Sequence, residues 1–153
     1  MSVRIRLIEI ASALVRRSRI IILRRLRGYK NIDKSVIIES EVTLDRINPS
    51  GIYIDSNTLV GSGTTILSHE HVYRQKNGSC YMADTRIGKN CFIGVKSIIC
   101  PGVEIGDECI IGAGSVVTKS VPSHSLAAGV PARIIKTGIK MNEKAVAYEI
   151  VKD

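Results

Sequence analysis

Residues 87–117 read IGKNCF-IGVKSI-ICPGVE-IGDECI-IGAGSV-V, with an aliphatic residue opening every sixth position: Ile87, Ile93, Ile99, Ile105, Ile111 and Val117. The same spacing runs upstream through Ile32, Ile38 and Leu44, and again through Ile54, Val60 and Ile66. The next residue is usually Gly, Asp or Glu, as at Asp33, Glu39, Asp45, Asp55, Gly61, Gly88 and Gly106. The fifth position is small or β-branched, as at Val36, Val42, Thr58, Thr64, Ser97, Val103, Ser115 and Val121. A helix repeats its apolar positions every 3.6 residues, so a fixed period of six does not fit one. Short β-branched strands parted by Gly or Asp corners do fit. Three such faces close a coil of 18 residues, stacked about 4.8 Å from the next by strand pairing.

Cys91 and Cys109 stand 18 apart at the same small inward position. They are expected to stack on neighbouring coils as core residues, in the manner of buried free cysteine. Two interruptions break the register: four extra residues between Leu44 and Ile54, around Asn48-Pro49-Ser50-Gly51, and fifteen between His71 and Ile87, covering 72–86. Insertions in a stacked coil must leave as loops, because the flanking coils still pair. The longer one follows directly on two histidines in Ser68-His69-Glu70-His71. On a strand, His69 and His71 face the same side and Glu70 the other.

A net charge of +8 invites a nucleic-acid reading, but its distribution argues against one. Residues 1–28 hold eight arginines and one acid, Glu9, so that segment carries +7 and the rest of the chain only +1. With one Phe, no Trp and no recognition motif, no surface for nucleic acid is expected. The longest aliphatic run in the basic segment, Ile20–Leu23, is far shorter than a signal or membrane span requires. The four cysteines make no CxxC pair, which leaves a reduced, cytoplasmic setting as the expectation and no metal requirement.

The hexads resemble those of the hexapeptide-repeat acyltransferases, and the run IGDECIIGAGSVVTKSVPSHSLAAGVPARIIK over Ile105–Lys136 is similar to the end of the sugar O-acetyltransferases. That resemblance implies a mainly β chain, a left-handed parallel β-helix spanning 29–136 with a protruding loop at 72–86. It also implies acetyl-CoA as co-substrate, a saccharide acceptor in surface-polysaccharide synthesis, and a homotrimer with its sites between subunits. Transfer of an acetyl group to a hydroxyl needs a base and donors for the developing oxyanion. The resemblance favours His71 as base, although the chain departs from the commoner Thr-x-His-Pro form; His69 could orient His71 or replace it. It gives the oxyanion donor as the amide of Val95, after Gly94, and sets Phe92 beside the acceptor, where inter-coil packing is an equal reading. Gly112, Ala113 and Gly114 are expected to admit the pantetheine chain. Thr118, Lys119, Arg133 and Lys136 are expected to hold the CoA phosphates, with a solvated basic tail as the alternative for Lys136. Asn48, Tyr73 and Arg74 are candidates for the acceptor side. His124, in a turn-forming stretch, reads as an exposed turn residue.

Residues 1–28 read as a basic amphipathic helical segment with apolar positions at Leu7, Ala11, Leu14, Ile21, Ile22 and Leu26. Its expected role is to cap the open end of the coil, with peripheral contact to an anionic membrane as a compatible second role. The tail at 137–153 is expected to form a short helix with Asn142 as its N-cap. Two other functions remain open beside O-acetyl transfer: N-acetylation of an amino sugar, and a non-catalytic assembly subunit. A zinc hydratase on the same fold needs three well-spaced histidine ligands, which His69, His71 and His124 do not provide.

Overall fold

The computed structural model describes residues 15, 20–25, 27–142, 145 and 147–150, the side chains at 73, 74 and 147–150 apart. Most of the chain is a coil of two- and three-residue parallel strands arranged in three faces. The first face stacks Ile32, Ile54, Ile87, Ile105 and Val121. Ile38, Val60, Ile93, Ile111 and Ala127 form the second. The third holds Leu44, Ile66, Ile99 and Val117. These are the hexad openers, and each is at most 6% exposed. A two-residue strand has almost no stability of its own; what holds it is the ladder above and below and the buried side chain it sends inward, worth about 1.5–3 kcal/mol each.

The fifth hexad positions fill the corners of the core. Thr58, Thr64, Ser97 and Ser115 are fully buried, and each hydroxyl donates to a corner carbonyl, such as Thr58 to Gly88 O at 2.7 Å and Ser115 to Gly112 O at 2.6 Å. Cys91 and Cys109 lie between them as expected, both buried. Their thiols donate to Gly106 O and Pro122 O, each at 3.1 Å. Contact with the Cys109 thiol, together with burial, pushes the Cys91 thiol up, which suits an inert core residue.

One regularity goes beyond the sequence pattern. From Ile38 onward, the fourth position of each uninterrupted hexad turns the corner at left-handed φ, whether it holds Gly or not: Glu41, Asn57, Asn90, Lys96, Glu108 and His124 lie between 55° and 61°. His124 is therefore an exposed turn residue, as expected. The second position is often Gly for a different reason. A Cβ on Gly94 would lie 2.5 Å from the Ala113 nitrogen in the next coil, a contact only Gly avoids.

Three expectations are corrected. Val121 is not the fifth residue of a hexad but pairs with Ile105 and opens the last coil, two residues early; Ser125, four further on, then takes the buried fifth position. The tail is not helical: Ile139–Met141 pairs antiparallel with Ala147–Ile150, and Ala145 N bonds to Asn142 O in the turn between them, so Asn142 caps no helix. The strand wins because Ile139 and Met141 alternate toward one side and cover Leu59, Phe92, Ile110 and Leu126 on the outside of the second face. At the other end, residues 20–25 are helical; Ile20 and Leu23 join the core beside Tyr29 and Ile32, while Ile21 and Ile22 are exposed rather than part of that apolar contact. The expectations for Leu7, Ala11, Leu14 and Leu26 fall outside the described residues.

Candidate active site

Both interruptions open at the corner after the third face. The shorter one carries a single turn of 3-10 helix, Pro49–Gly51. The longer one leaves the coil after Ser68 as an antiparallel hairpin, His69–Arg74 against Cys80–Met82. Its neck is closed by Ala83 N donating to Ser68 O at 3.0 Å and by Thr85 Oγ1 donating to Leu67 O at 2.6 Å. The excursion therefore begins three residues earlier than the sequence suggested, and both histidines stand on the hairpin itself, not at the end of a coil strand.

His69 and His71 do face the same side: their Nε2 atoms are 2.8 Å apart and their rings meet edge to face. On its other edge, His69 Nδ1 meets the carboxylate of Asp45. Asp45 lies in the coil below, its side chain fully buried, and His69 is only 11% exposed. Asp45 also accepts the backbone N–H groups of Ser68 at 2.8 Å, Ile47 at 2.9 Å and Asn48 at 3.2 Å. Burial alone would raise its pKa, but these donors and His69 outweigh it and hold the carboxyl below the usual range. From the returning strand of the hairpin, Cys80 Sγ reaches His71 Nδ1 at 3.2 Å. The result is a line of four groups running outward, from buried Asp45 through His69 to exposed His71 and half-buried Cys80.

Asp45 and Cys80 were not foreseen. Asp45 holds the ordinary corner-acid position of a hexad, and the one signal setting it apart is that the first interruption begins immediately after it. Glu70 turns away, as expected, and accepts Val72 N at 2.9 Å. Asn48, a candidate for the acceptor, braces the hairpin: its side-chain amide donates to Ser68 O at 2.9 Å, and its main-chain carbonyl accepts the Ser68 hydroxyl at 2.7 Å. Phe92, for which acceptor contact and packing were equal readings, packs in the outer cluster under Ile139 and Met141, because the tail strand covers that part of the second face. The side chains of Tyr73 and Arg74 lie outside those described.

The remaining candidates fall into two groups on either side of the third face. Thr118 and Lys119 follow Val117 and are exposed at the histidine corner. Gly94 and Val95, with Gly112, Ala113 and Gly114 in the coil above, lie at the corner between the second and third faces, where Gly114 N donates to Val95 O at 2.9 Å. Val95, Ala113 and Gly114 are exposed, and a Cβ on Gly114 would meet nothing within 4 Å. Beside this strip, the hairpin of Ser125–Gly129 with Ala132–Thr137 brings Arg133 opposite Ala128 and Lys136 opposite Leu126. An open edge of small residues flanked by cations fits a long, flexible, phosphate-bearing thioester. Within one chain, then, the histidines and the Val95 amide stand at different corners.

The repeat, the coil it builds and the histidine corner define a class, that of the hexapeptide-repeat proteins. Residues 84–119 match the family model described as the hexapeptide repeat of succinyl-transferase, and the chain is similar over most of its length to the galactoside and maltose O-acetyltransferases. The galactoside O-acetyltransferase of Escherichia coli (strain K12) is 37% identical over 111 residues, which is 71% of this chain and 50% of that protein. Among solved structures, a galactoside acetyltransferase in complex with coenzyme A is 32% identical with a TM-score of 0.58, covering 70% of this chain and 64% of the other. A maltose O-acetyltransferase from Clostridium difficile 630 is 25% identical with a TM-score of 0.57, covering 81% and 87%. The chain spans about half the length of the curated relatives it matches.

Proposed function

We propose that the protein transfers an acetyl group from acetyl-CoA to a hydroxyl of a saccharide, by direct attack and with His71 as general base. The observation that carries this reading is the ordered line Asp45–His69–His71, which ends in an exposed imidazole at the corner where the hairpin leaves the coil. Histidine suits the role because its reference pKa of about 6.5 leaves it largely neutral near pH 7. Acetyl-CoA supplies the activated acyl group, and its binding along the small-residue strip is supported by relatives whose structures hold CoA or acetyl-CoA.

The division of the candidates between two corners favours a homotrimer of left-handed coils. The histidine corner of one subunit would then face the Gly94–Val95 corner of the next, with the Val95 amide as oxyanion donor and Thr118, Lys119, Arg133 and Lys136 around the CoA phosphates. The saccharide is read as an intermediate of surface-polysaccharide synthesis made in the cytoplasm, with the basic first 28 residues close to the membrane face. Among the described residues no helix is long and apolar enough to cross a membrane.

The test is a CoA-release assay over a panel of saccharides and amino sugars, run on wild type and His71→Ala. Turnover should fall by about 10² to 10⁴, the usual worth of a general base, while CoA still binds by calorimetry. Turnover surviving in both His71→Ala and His69→Ala would overturn the reading. Acetylation of amino sugars alone would move the assignment to N-acetyl transfer, and absence of CoA binding would move it to an assembly role.

A further inference from the structure

We infer that the proton acceptor of this site is Nδ1 of His71, not Nε2, and that the abstracted proton's charge comes to rest on His69. This rests on the reading of His71 as base and goes further, naming the atom and the path. The argument is one of hydrogen-bond elimination, working outward from the buried end. Asp45 takes three backbone N–H groups besides His69, and an ionised carboxylate can only accept. Nδ1 of His69 must therefore carry the hydrogen between them. In a neutral imidazole the other nitrogen is then bare, so Nε2 of His69 accepts. The hydrogen in the 2.8 Å contact between the two rings must come from Nε2 of His71. That leaves Nδ1 of His71 bare, and the Cys80 thiol, 3.2 Å away, is its donor.

The outward lone pair of the line is thus on Nδ1, and the thiol occupies the position an attacking hydroxyl would take. When a hydroxyl replaces it, the hydroxyl proton passes to Nδ1 as the oxygen–acyl bond forms. The hydrogen on Nε2 of His71 moves to Nε2 of His69. His69 then holds the positive charge against a buried carboxylate, whereas a charge left on His71 would sit at the exposed end of the line. Reversal of both transfers returns the proton to the departing thiolate, so protons balance over the cycle. His69 is a positioning residue in this scheme, because it touches the reacting atoms only through His71.

The experiment is long-range proton–nitrogen correlation NMR on the full chain labelled with ¹⁵N-histidine, at a pH where titration shows both rings neutral. The expected spectrum has His69 protonated on Nδ1 and His71 on Nε2, with Nδ1 of His71 unprotonated. Finding His71 protonated on Nδ1 overturns the inference. The kinetic arm is His69→Gln, whose amide oxygen can accept the Nε2 hydrogen of His71 but cannot take up a proton. Its kcat should fall about 100-fold, with KM for acetyl-CoA unchanged and the tautomer of His71 retained. Wild-type kcat, or a loss of kcat accompanied by a switched tautomer at His71, would overturn proton storage on His69. The spectrum needs no acceptor, so failure to find any acetyl transfer leaves it standing. A wrong tautomer, conversely, leaves acetyl transfer in place with Nε2 as the base.

Discussion

The first and third corners of the same coil are built differently. At the first corner, Asn57, Asn90, Glu108 and His124 form one column, each at nearly the same left-handed φ, and every coil after the first turns in the same way. At the third corner every coil turns in its own way: a loop with a short 3-10 turn, then a hairpin, then Cys100-Pro101-Gly102, then a shortened turn before Val121. The line of Asp45, His69, His71 and Cys80 lies at the third corner. Strand pairing demands repetition only where ladder bonds are made, and a corner can open widely if both ends return to the ladder. Ser68 and Ala83 bring the hairpin back with a single backbone bond. Regularity at one edge thus leaves the other edge free to carry chemistry.

The largest effects should come from the repeating part. Ile93 is fully buried in the second face, between Val60 and Ile111. Ile93→Ala removes three carbons from a core whose coils cannot collapse inward without breaking their pairing. Destabilisation should reach about 2–5 kcal/mol, read as a shifted urea midpoint at unchanged slope. A loss below about 1 kcal/mol would mean that the coils relax independently and that the ladder does not transmit packing.

Asp45→Ala comes next, because it joins the two regions. Asp45 N donates to Ile66 O in the ladder, while the side chain collects the third-corner donors. Removing the carboxylate strands several N–H groups, which should destabilise by about 2 kcal/mol. The pH dependence has a definite sign. The folded pKa of Asp45 is depressed, so its contribution is present above the unfolded value of about 3.9 and is lost as pH falls through the lower folded value. The stability gap between wild type and Asp45→Ala should therefore close below about pH 4. A gap that persists there would mean that the neutral acid serves the hairpin equally well.

The same contrast explains what was legible in the sequence. The hexad openers, the buried fifth positions and the Cys91–Cys109 stack could be read because each depends on spacing alone, and spacing is local. The shared face of His69 and His71 could be read because strand alternation is local too. Asp45 could not be singled out, since its partner is 24 residues away and the approach depends on how an irregular corner folds. Cys80 reaches His71 only through the pairing of the hairpin's two strands. The tail was misread for the same reason: the apolar residues that make Ile139 and Met141 a covering strand are Leu59, Phe92, Ile110 and Leu126, one in each of four coils.

The smallest expected effect tests the comparison most directly. If the third corner is an open edge, the hairpin can be removed without dissolving the coil. Replacing residues 70–82 by a short Gly/Ser link keeps Ser68, Ala83 and Thr85, which close the neck. The exposed residues lost, such as Val72, Tyr81 and Met82, contribute little to the core. Shortening a flexible loop changes closure entropy by only about 0.6 kcal/mol per halving, so stability should move by less than about 1 kcal/mol while CoA-release activity disappears with His71. Far-ultraviolet circular dichroism and a urea titration decide the matter. A retained β spectrum with one cooperative transition means that the coil folds on its own ladder and the hairpin is carried by it. A broadened or split transition would mean instead that the hairpin is needed to hold the third face together, and that the two corners are less independent than their construction implies.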